Sequence, residues 1–208
     1  MSADRLPRPL PPADHDVMKK TALLLIDIQD SFKNGRWARR GNLAFEDNVS
    51  RLLAVWRAAG LPRFFIIHTD PDPGFRAGDP EFRLMDFMAR REDEPLLQKN
   101  TRNSFTSTDL QARLTAAGIE KLVVTGIQME QCAETTTRLA ADLGYEVDFV
   151  LDATQTFPIL NKATGEEIST EALIERTAYV LRDRFARIIS AEDLAAEVEA
   201  EVLASSAR

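Results

Sequence analysis

Three residues of this chain could be combined into one nucleophilic site. Cys132 is the only cysteine and follows V-V-T-G-I-Q-M-E-Q (123–131), an apolar strand pattern and a glycine turn. The stretch A-E-T-T-T-R (133–138) after it reads as the start of a helix. A thiol at a helix start is pulled toward the thiolate, because the dipole and the open N–H groups favour negative charge. Asp27 lies inside L-L-L-I-D-I-Q (23–29), where a carboxylate is costly to bury unless it is paired. Lys99 follows the apolar pair Leu96-Leu97. In combination, Asp27 accepts the thiol proton, Lys99 steadies the charges and Cys132 attacks a carbonyl carbon. Each residue also has a plainer reading: a buried core cysteine, half of a structural ion pair, a solvated surface lysine. Taken singly, the residues leave these readings open.

The elements that must position the trio alternate between strand and helix. Ala22–Ile28 is a continuous apolar run, as expected of a strand covered on both faces. Val49, Leu52, Leu53 and Trp56 share one helical face, and Gly60 stops that helix. Further strands are predicted at Phe64–Ile67, Leu96-Leu97 (ending at Lys99), Ile119–Thr125, Val147–Leu151 and Ile188-Ile189. A helix carrying Leu110 and Leu114 is capped by Ser107 or Thr108, and another runs from Cys132 to Gly144. Ser169 caps a long helix, and Ser190 with Asp193 forms a capping box for the last. Residues 70–93 read as irregular with a short helix near Phe82–Met88, and 153–168 as a loop turning at Thr164-Gly165. This order predicts an α/β fold, a three-layer α/β/α sandwich around a mostly parallel, about six-stranded sheet. Sites in open α/β sheets form at the carboxyl ends of strands, a rule that places Asp27, Lys99 and Cys132 along one edge.

A chain of 208 residues is about one domain, here residues 21–208 after a proline-rich arm at 1–20. The net charge of −7 disfavours nucleic-acid and anionic-membrane partners. No apolar run approaches a membrane span, and the arm lacks the apolar core of a secretory signal. A lone cysteine fits a reducing compartment, so a cytoplasmic protein is expected.

Five blocks carry a resemblance: L-L-L-I-D-I-Q-D-S-F (23–32), K-N-T-R-N-S-F-T-S-T-D-L (99–110), V-V-T-G-I-Q-M-E-Q-C-A-E-T-T-T-R (123–138), L-G-Y-E-V-D-F-V-L-D-A-T (143–154) and R-F-A-R-I-I-S (184–190). In this order, over roughly residues 20–195, the chain resembles the isochorismatase-like cysteine hydrolase superfamily, which includes nicotinamidases, N-carbamoyl amidohydrolases and isochorismatases. The resemblance implies an Asp27–Lys99–Cys132 triad and a non-proline cis peptide at Ile127–Gln128. It also implies an oxyanion hole formed by the N–H groups of Gln128 and Cys132. It implies hydrolysis of a small-molecule amide or carbamoyl/ureido C–N bond through a Cys132 thioester, and a homo-oligomer, dimer or tetramer.

Two departures stand out. Many members carry Thr or Ser three residues before the cysteine, where this chain has Met129, which implies a more apolar pocket. Nicotinamidases bind a metal through Asp-x-His and a further His. Here the region reads His68-Thr69-Asp70-Pro71-Asp72, with His15 the only other histidine, so no metal and no other cofactor is assigned. Members that cleave the vinyl ether of isochorismate often lack the cysteine, so its presence favours acyl chemistry. A vinyl-ether hydrolase is the alternative, as is a non-catalytic redox-responsive or scaffold protein of the same fold.

Candidate substrate-binding residues are Gln29, Phe32, Trp37, Phe105 and Gln128; the three aromatics line the pocket or belong to the core, and Trp37 to an oligomer interface. Arg36, Arg39 and Arg40 form a basic patch that reads as a carboxylate site or a solvated face. Asp70 and Asp72 resemble ligands, yet Asp-Pro pairs usually mark turns. The chain lacks G-x-G-x-x-G after the first strand and G-x-S-x-G anywhere, which disfavours a dinucleotide-binding module and a serine α/β-hydrolase. Specificity is expected in segments 70–93 and 155–168.

Overall fold

The computed structural model describes residues 20–33 and 35–206. The proline-rich arm, apart from Lys20, and His15 lie outside the described residues, as does the side chain of Arg36. The first strand, β1 (Thr21–Ile26), is buried at every position, as a run apolar on both faces requires. β2 (Arg63–His68), β3 (Leu96–Lys99), β4 (Lys121–Ile127), β5 (Glu146–Gln155) and a short strand at Arg187–Ile189 complete a six-stranded sheet. Every pairing in it is parallel. The order is β3-β2-β1-β4-β5 followed by the Arg187–Ile189 strand, so the chain reverses direction across the sheet between β1 and β4.

The helix α1 (Phe45–Ala58) buries Val49, Leu52, Leu53 and Trp56 against Leu23, Leu25 and Phe65. The last helix (Ala191–Ser206) joins the same layer through Leu194, Ala195 and Val198. On the opposite face lie α2 (Leu110–Ala116), α3 (Glu134–Asp142) and α4 (Thr170–Leu181), which cover Ala22, Leu24, Ile26 and Val124. Each large apolar side chain sealed in these layers contributes roughly 1.5–3 kcal/mol relative to exposure. The result is the three-layer α/β/α sandwich expected from the sequence. No helix among the described residues is long and apolar enough to cross a membrane.

One buried carboxylate ties α1 to the strand that carries Lys99. Glu94, 2% exposed, accepts Arg57 Nε and an Arg57 terminal nitrogen, both at 2.7 Å, Arg63 Nε at 2.5 Å and the Arg91 N–H at 2.9 Å. Burial alone would raise its pKa, but these donors overcome burial and hold it down at about 2.

Several sequence expectations shift. The fourth strand runs two residues later than Ile119–Thr125, and β5 continues to Gln155, past a break in register between Val124 and Gly126. The expected loop 153–168 therefore begins as strand, and it also holds a two-stranded antiparallel hairpin, β6 (Ile159–Leu160) with β7 (Glu167–Ile168); the Arg187–Ile189 strand is thus β8, and the final helix α5. Only Asp86–Met88 of the short helix near 82–88 is helical, as a single 3₁₀ turn. Ser107 does not cap α2, because its hydroxyl accepts the Asn100 N–H; Thr108 accepts the Leu110 N–H. Ser169 caps α4 through the Ala172 N–H; Ser190 Oγ accepts the Asp193 N–H as expected, but the Asp193 carboxylate accepts the Ser190 hydroxyl and not its backbone N–H, so half of the expected capping box forms.

Candidate active site

The carboxyl ends of β3, β2, β1 and β4 bring together one reactive group each. Asp27 directly follows β1, anchored by its N–H to Ile66 O at 2.8 Å and held at φ 53°, a left-handed conformation that non-glycine residues seldom adopt. His68 ends β2, and Lys99 ends β3 beside it in register. Cys132 sits in a π-helical turn, Met129–Ala133, between β4 and α3. The Ile127–Gln128 peptide before that turn is cis. The Cys132 carbonyl accepts the Thr136 hydroxyl at 2.7 Å, and Thr136 Oγ1 accepts the Ser104 N–H at 3.1 Å, which fixes the turn against the loop after β3.

Gly126 makes this convergence possible. Its φ is 124°, and a Cβ there would lie 2.0 Å from the Ile26 carbonyl oxygen. No side chain larger than hydrogen allows β4 to run this close to β1 one residue before Asp27.

Lys99 Nζ lies 2.7 Å from Asp27 Oδ2, with both side chains fully buried, and 3.4 Å from Cys132 Sγ. The ammonium also donates to Thr101 O at 3.1 Å and faces His68 Nδ1 at 3.1 Å. The structure thus assembles Asp27, Lys99 and Cys132 within contact distance of a single nitrogen. The thiol is not the low-pKa group expected at a helix start. Burial, then the Asp27 charge, push it up to about 12 against the pull of Lys99. Cys132 precedes α3 by two residues and packs in the core layer, where desolvation outweighs the helix dipole. A buried carboxylate beside a neutral thiol is an arrangement for transferring a proton during attack, with the ammonium balancing the charge that moves.

A cavity of about 310 Å³ opens over the sulfur. Its apolar wall is aromatic: Phe32 packs edge-on to Trp37 at 5.1 Å and to Phe75 at 5.0 Å. The facing wall is polar and includes His68, Arg102, Gln128 and Gln131. A larger groove of about 990 Å³ beside β8 contains none of the triad.

Of the other sequence candidates, Phe32, Trp37 and Gln128 line the cavity, and Gln29 and Phe105 do not. Gln29 is wholly buried; its carbonyl oxygen accepts the His68 N–H at 2.8 Å and its amide donates to His68 O at 3.1 Å, so it clamps the end of β2. Phe105 packs in the core layer, stacked on Tyr145 at 6.2 Å. Met129 is also wholly buried in that layer, so it does not make the cavity more apolar. Arg39 pairs with Glu167 and Arg40 with Glu46. Sequence reasoning missed Arg102, Phe75 and Gln131, and it considered His68 only for metal. The strand-end rule that found Asp27 and Lys99 also points to His68, the last residue of β2.

Among the described residues no group of three or more His, Cys, Asp or Glu side chains is placed to hold a metal ion. The donor set at His68 does not fit one: its two ring nitrogens face the Lys99 ammonium and the Arg102 guanidinium.

The sequence matches the Isochorismatase domain family over residues 21–193. It is 29% identical over 179 residues to the isochorismatase family protein YrdC of Bacillus subtilis, covering 85% of this chain and 95% of that one. It is 29% identical over 154 residues to nicotinamidase 3 of Arabidopsis thaliana, covering 67% of this chain and 75% of the relative. A crystal structure of a putative hydrolase of the isochorismatase family from Chromobacterium violaceum superposes with a TM-score of 0.84 at 30% identity, covering 93% of this chain and 99% of that one. With that sheet order and a family match over most of its length, the chain belongs to the isochorismatase family of hydrolases.

Proposed function

We propose that this protein is a cysteine hydrolase that cleaves the C–N bond of a small, flat amide or carbamoyl/ureido compound through a Cys132 thioester. The observation that carries the reading is the Lys99 ammonium, 2.7 Å from Asp27 and 3.4 Å from Cys132 beneath a cavity of about 310 Å³. That volume is at the small end of ligand pockets, and its aromatic wall suits a planar acyl group. Similarity to a protein named as a nicotinamidase supports an amide substrate.

The resting thiol is neutral. As Sγ adds to the carbonyl carbon, its proton passes to Asp27 and the carbonyl oxygen becomes an oxyanion, received by the N–H groups of Gln128 and Cys132. Collapse breaks the C–N bond, and the proton on Asp27 leaves with the amine. Water then gives a proton to Asp27 as its oxygen attacks the thioester. The acid departs and the proton returns to sulfur. Lys99 holds the site electrically balanced throughout.

The test is intact-mass spectrometry after brief exposure to aryl, carbamoyl and ureido amides. An acyl adduct on Cys132 with one class, absent in Cys132→Ala, is expected. Turnover that survives Cys132→Ala, or no adduct and no turnover across the panel, overturns the proposal.

A further inference from the structure

His68 presents a hydrogen-bonding conflict. Its Nδ1 lies 3.1 Å from Lys99 Nζ and its Nε2 lies 2.6 Å from an Arg102 terminal nitrogen. Ammonium and guanidinium groups donate and never accept. The His68 ring is buried, and burial followed by the Lys99 charge lowers its pKa, so it is neutral at pH 7. A neutral imidazole offers one lone pair and one N–H. It can therefore satisfy Lys99 or Arg102, but not both.

The surroundings decide which. Lys99 is fully buried, and a donor left facing an N–H there has no water to turn to. Arg102 is about half exposed at the cavity edge, with Asp70 Oδ2 3.5 Å from its other terminal nitrogen. The same Asp70 oxygen lies 3.6 Å from His68 Nε2, just beyond hydrogen-bond distance, and is the acceptor that reaches its N–H when Arg102 turns away. Asp70 is well suited to accept: the Asp72 N–H, together with Arg102, keeps its pKa below the usual range. The backbone of His68 is held on both sides by Gln29, so the ring has a fixed origin.

We infer that His68 is a positioning residue for the reaction: its Nδ1 lone pair aims the Lys99 ammonium between Asp27 and Cys132, Asp70 keeps the ring proton on Nε2, and Arg102, mismatched with that proton, turns to a carbonyl or carboxylate oxygen of the substrate. Four atoms around Lys99 (Asp27 Oδ2, Thr101 O, His68 Nδ1 and Cys132 Sγ) share three N–H bonds, so fixing one of them orients the others. The kinetic consequence rests on the cysteine-hydrolase reading; the ring's protonation state does not.

Two experiments test it, the first needing no substrate. Long-range ¹H–¹⁵N spectra of the full-length protein resolve its two histidines, with His68 assigned by its loss in His68→Asn. A neutral ring protonated on Nε2 is expected. A ring protonated on Nδ1, or on both nitrogens at pH 7, overturns the inference and leaves the hydrolase proposal standing. The second is steady-state kinetics on the amide identified by mass spectrometry. The amide of Asn reaches the Nδ1 position, whereas that of Gln reaches Nε2. His68→Asn should keep kcat within about tenfold, and His68→Gln should lose about a hundredfold or more in kcat with KM little changed. Arg102→Met should lower kcat/KM about tenfold or more, carried by KM. Equal kcat losses in His68→Asn and His68→Gln, with both folded by circular dichroism, overturn the positioning role. An Arg102→Met defect carried by kcat overturns the assignment of Arg102 to substrate.

Discussion

Removing the charge of Glu94 should show how far a single buried carboxylate holds the Lys99 strand in place. Its pKa falls from 4.5 to about 2 because Arg57, the Arg91 N–H and Arg63 overcome the cost of burying it. A depressed carboxylate pKa adds stability that is fully present above the unfolded value and is lost as pH falls through the folded value. The fall from 4.5 to about 2, at about 1.36 kcal/mol per tenfold change in proton affinity, corresponds to roughly 3 kcal/mol at pH 7. Glu94→Gln keeps the shape and one acceptor but forfeits that charge-dependent part. The variant is expected to be about 3 kcal/mol less stable at pH 7, with the gap narrowing from about pH 4.5 downward and closing near pH 2. Urea denaturation followed by tryptophan fluorescence measures this directly, since Trp56 is buried in α1 next to Arg57. A difference below about 1 kcal/mol at pH 7, or one that stays constant between pH 5 and 2.5, would refute the reasoning, because the ion network would then contribute no more than a surface pair.

Other consequences can be checked as readily. Gly126→Ala places a methyl group 2.0 Å from Ile26 O, against backbone that cannot yield, and should leave little soluble protein; wild-type expression and melting temperature would contradict this. With the Cys132 thiol raised from 9.0 to about 12, alkylation of the resting protein by iodoacetamide at pH 7 should be at least about tenfold slower than that of a free cysteine peptide. A rate equal to or faster than the peptide's would mean a resting thiolate. Lys99→Met leaves Asp27 buried without its ion-pair partner and should lose both turnover and roughly 3–5 kcal/mol of stability; an active, stable variant would remove the ammonium from the mechanism.

The features legible in the sequence are those fixed by local pattern. β1 could be read because a strand buried on both faces must be apolar throughout. Asp27 and Lys99 could be read because they interrupt or end such runs, and sheet topology sends strand ends to one edge. The polar end of β5, Asp152–Gln155, could not, since its strand character comes from pairing with Gly126 and Ile127 after the register break. The hairpin of β6 and β7 exists only as a pairing of two-residue segments. From the sequence, Gln29 reads as a group able to hydrogen-bond a polar substrate. Its two bonds to the His68 backbone are a tertiary fact with no local signature. The thiol's raised pKa was hidden in part: the sequence pairs Asp27 with Cys132, but the burial of the sulfur, the larger cause, is a tertiary fact.

The row of strand ends also dictates how Asp27, Lys99 and Cys132 come together. Asp27 and Cys132 are brought together by the pairing of β1 with β4, whereas Lys99 joins them only when β2 lies between β1 and β3. Contacts of such long sequence separation close slowly relative to local helices. A nascent or half-folded chain therefore carries an ordinary, unpaired thiol with no base beside it. The contacts of Lys99 with Asp27 and Cys132 exist only where β3, β2, β1 and β4 stand in register, so the geometry of the trio reports the correct assembly of the central sheet.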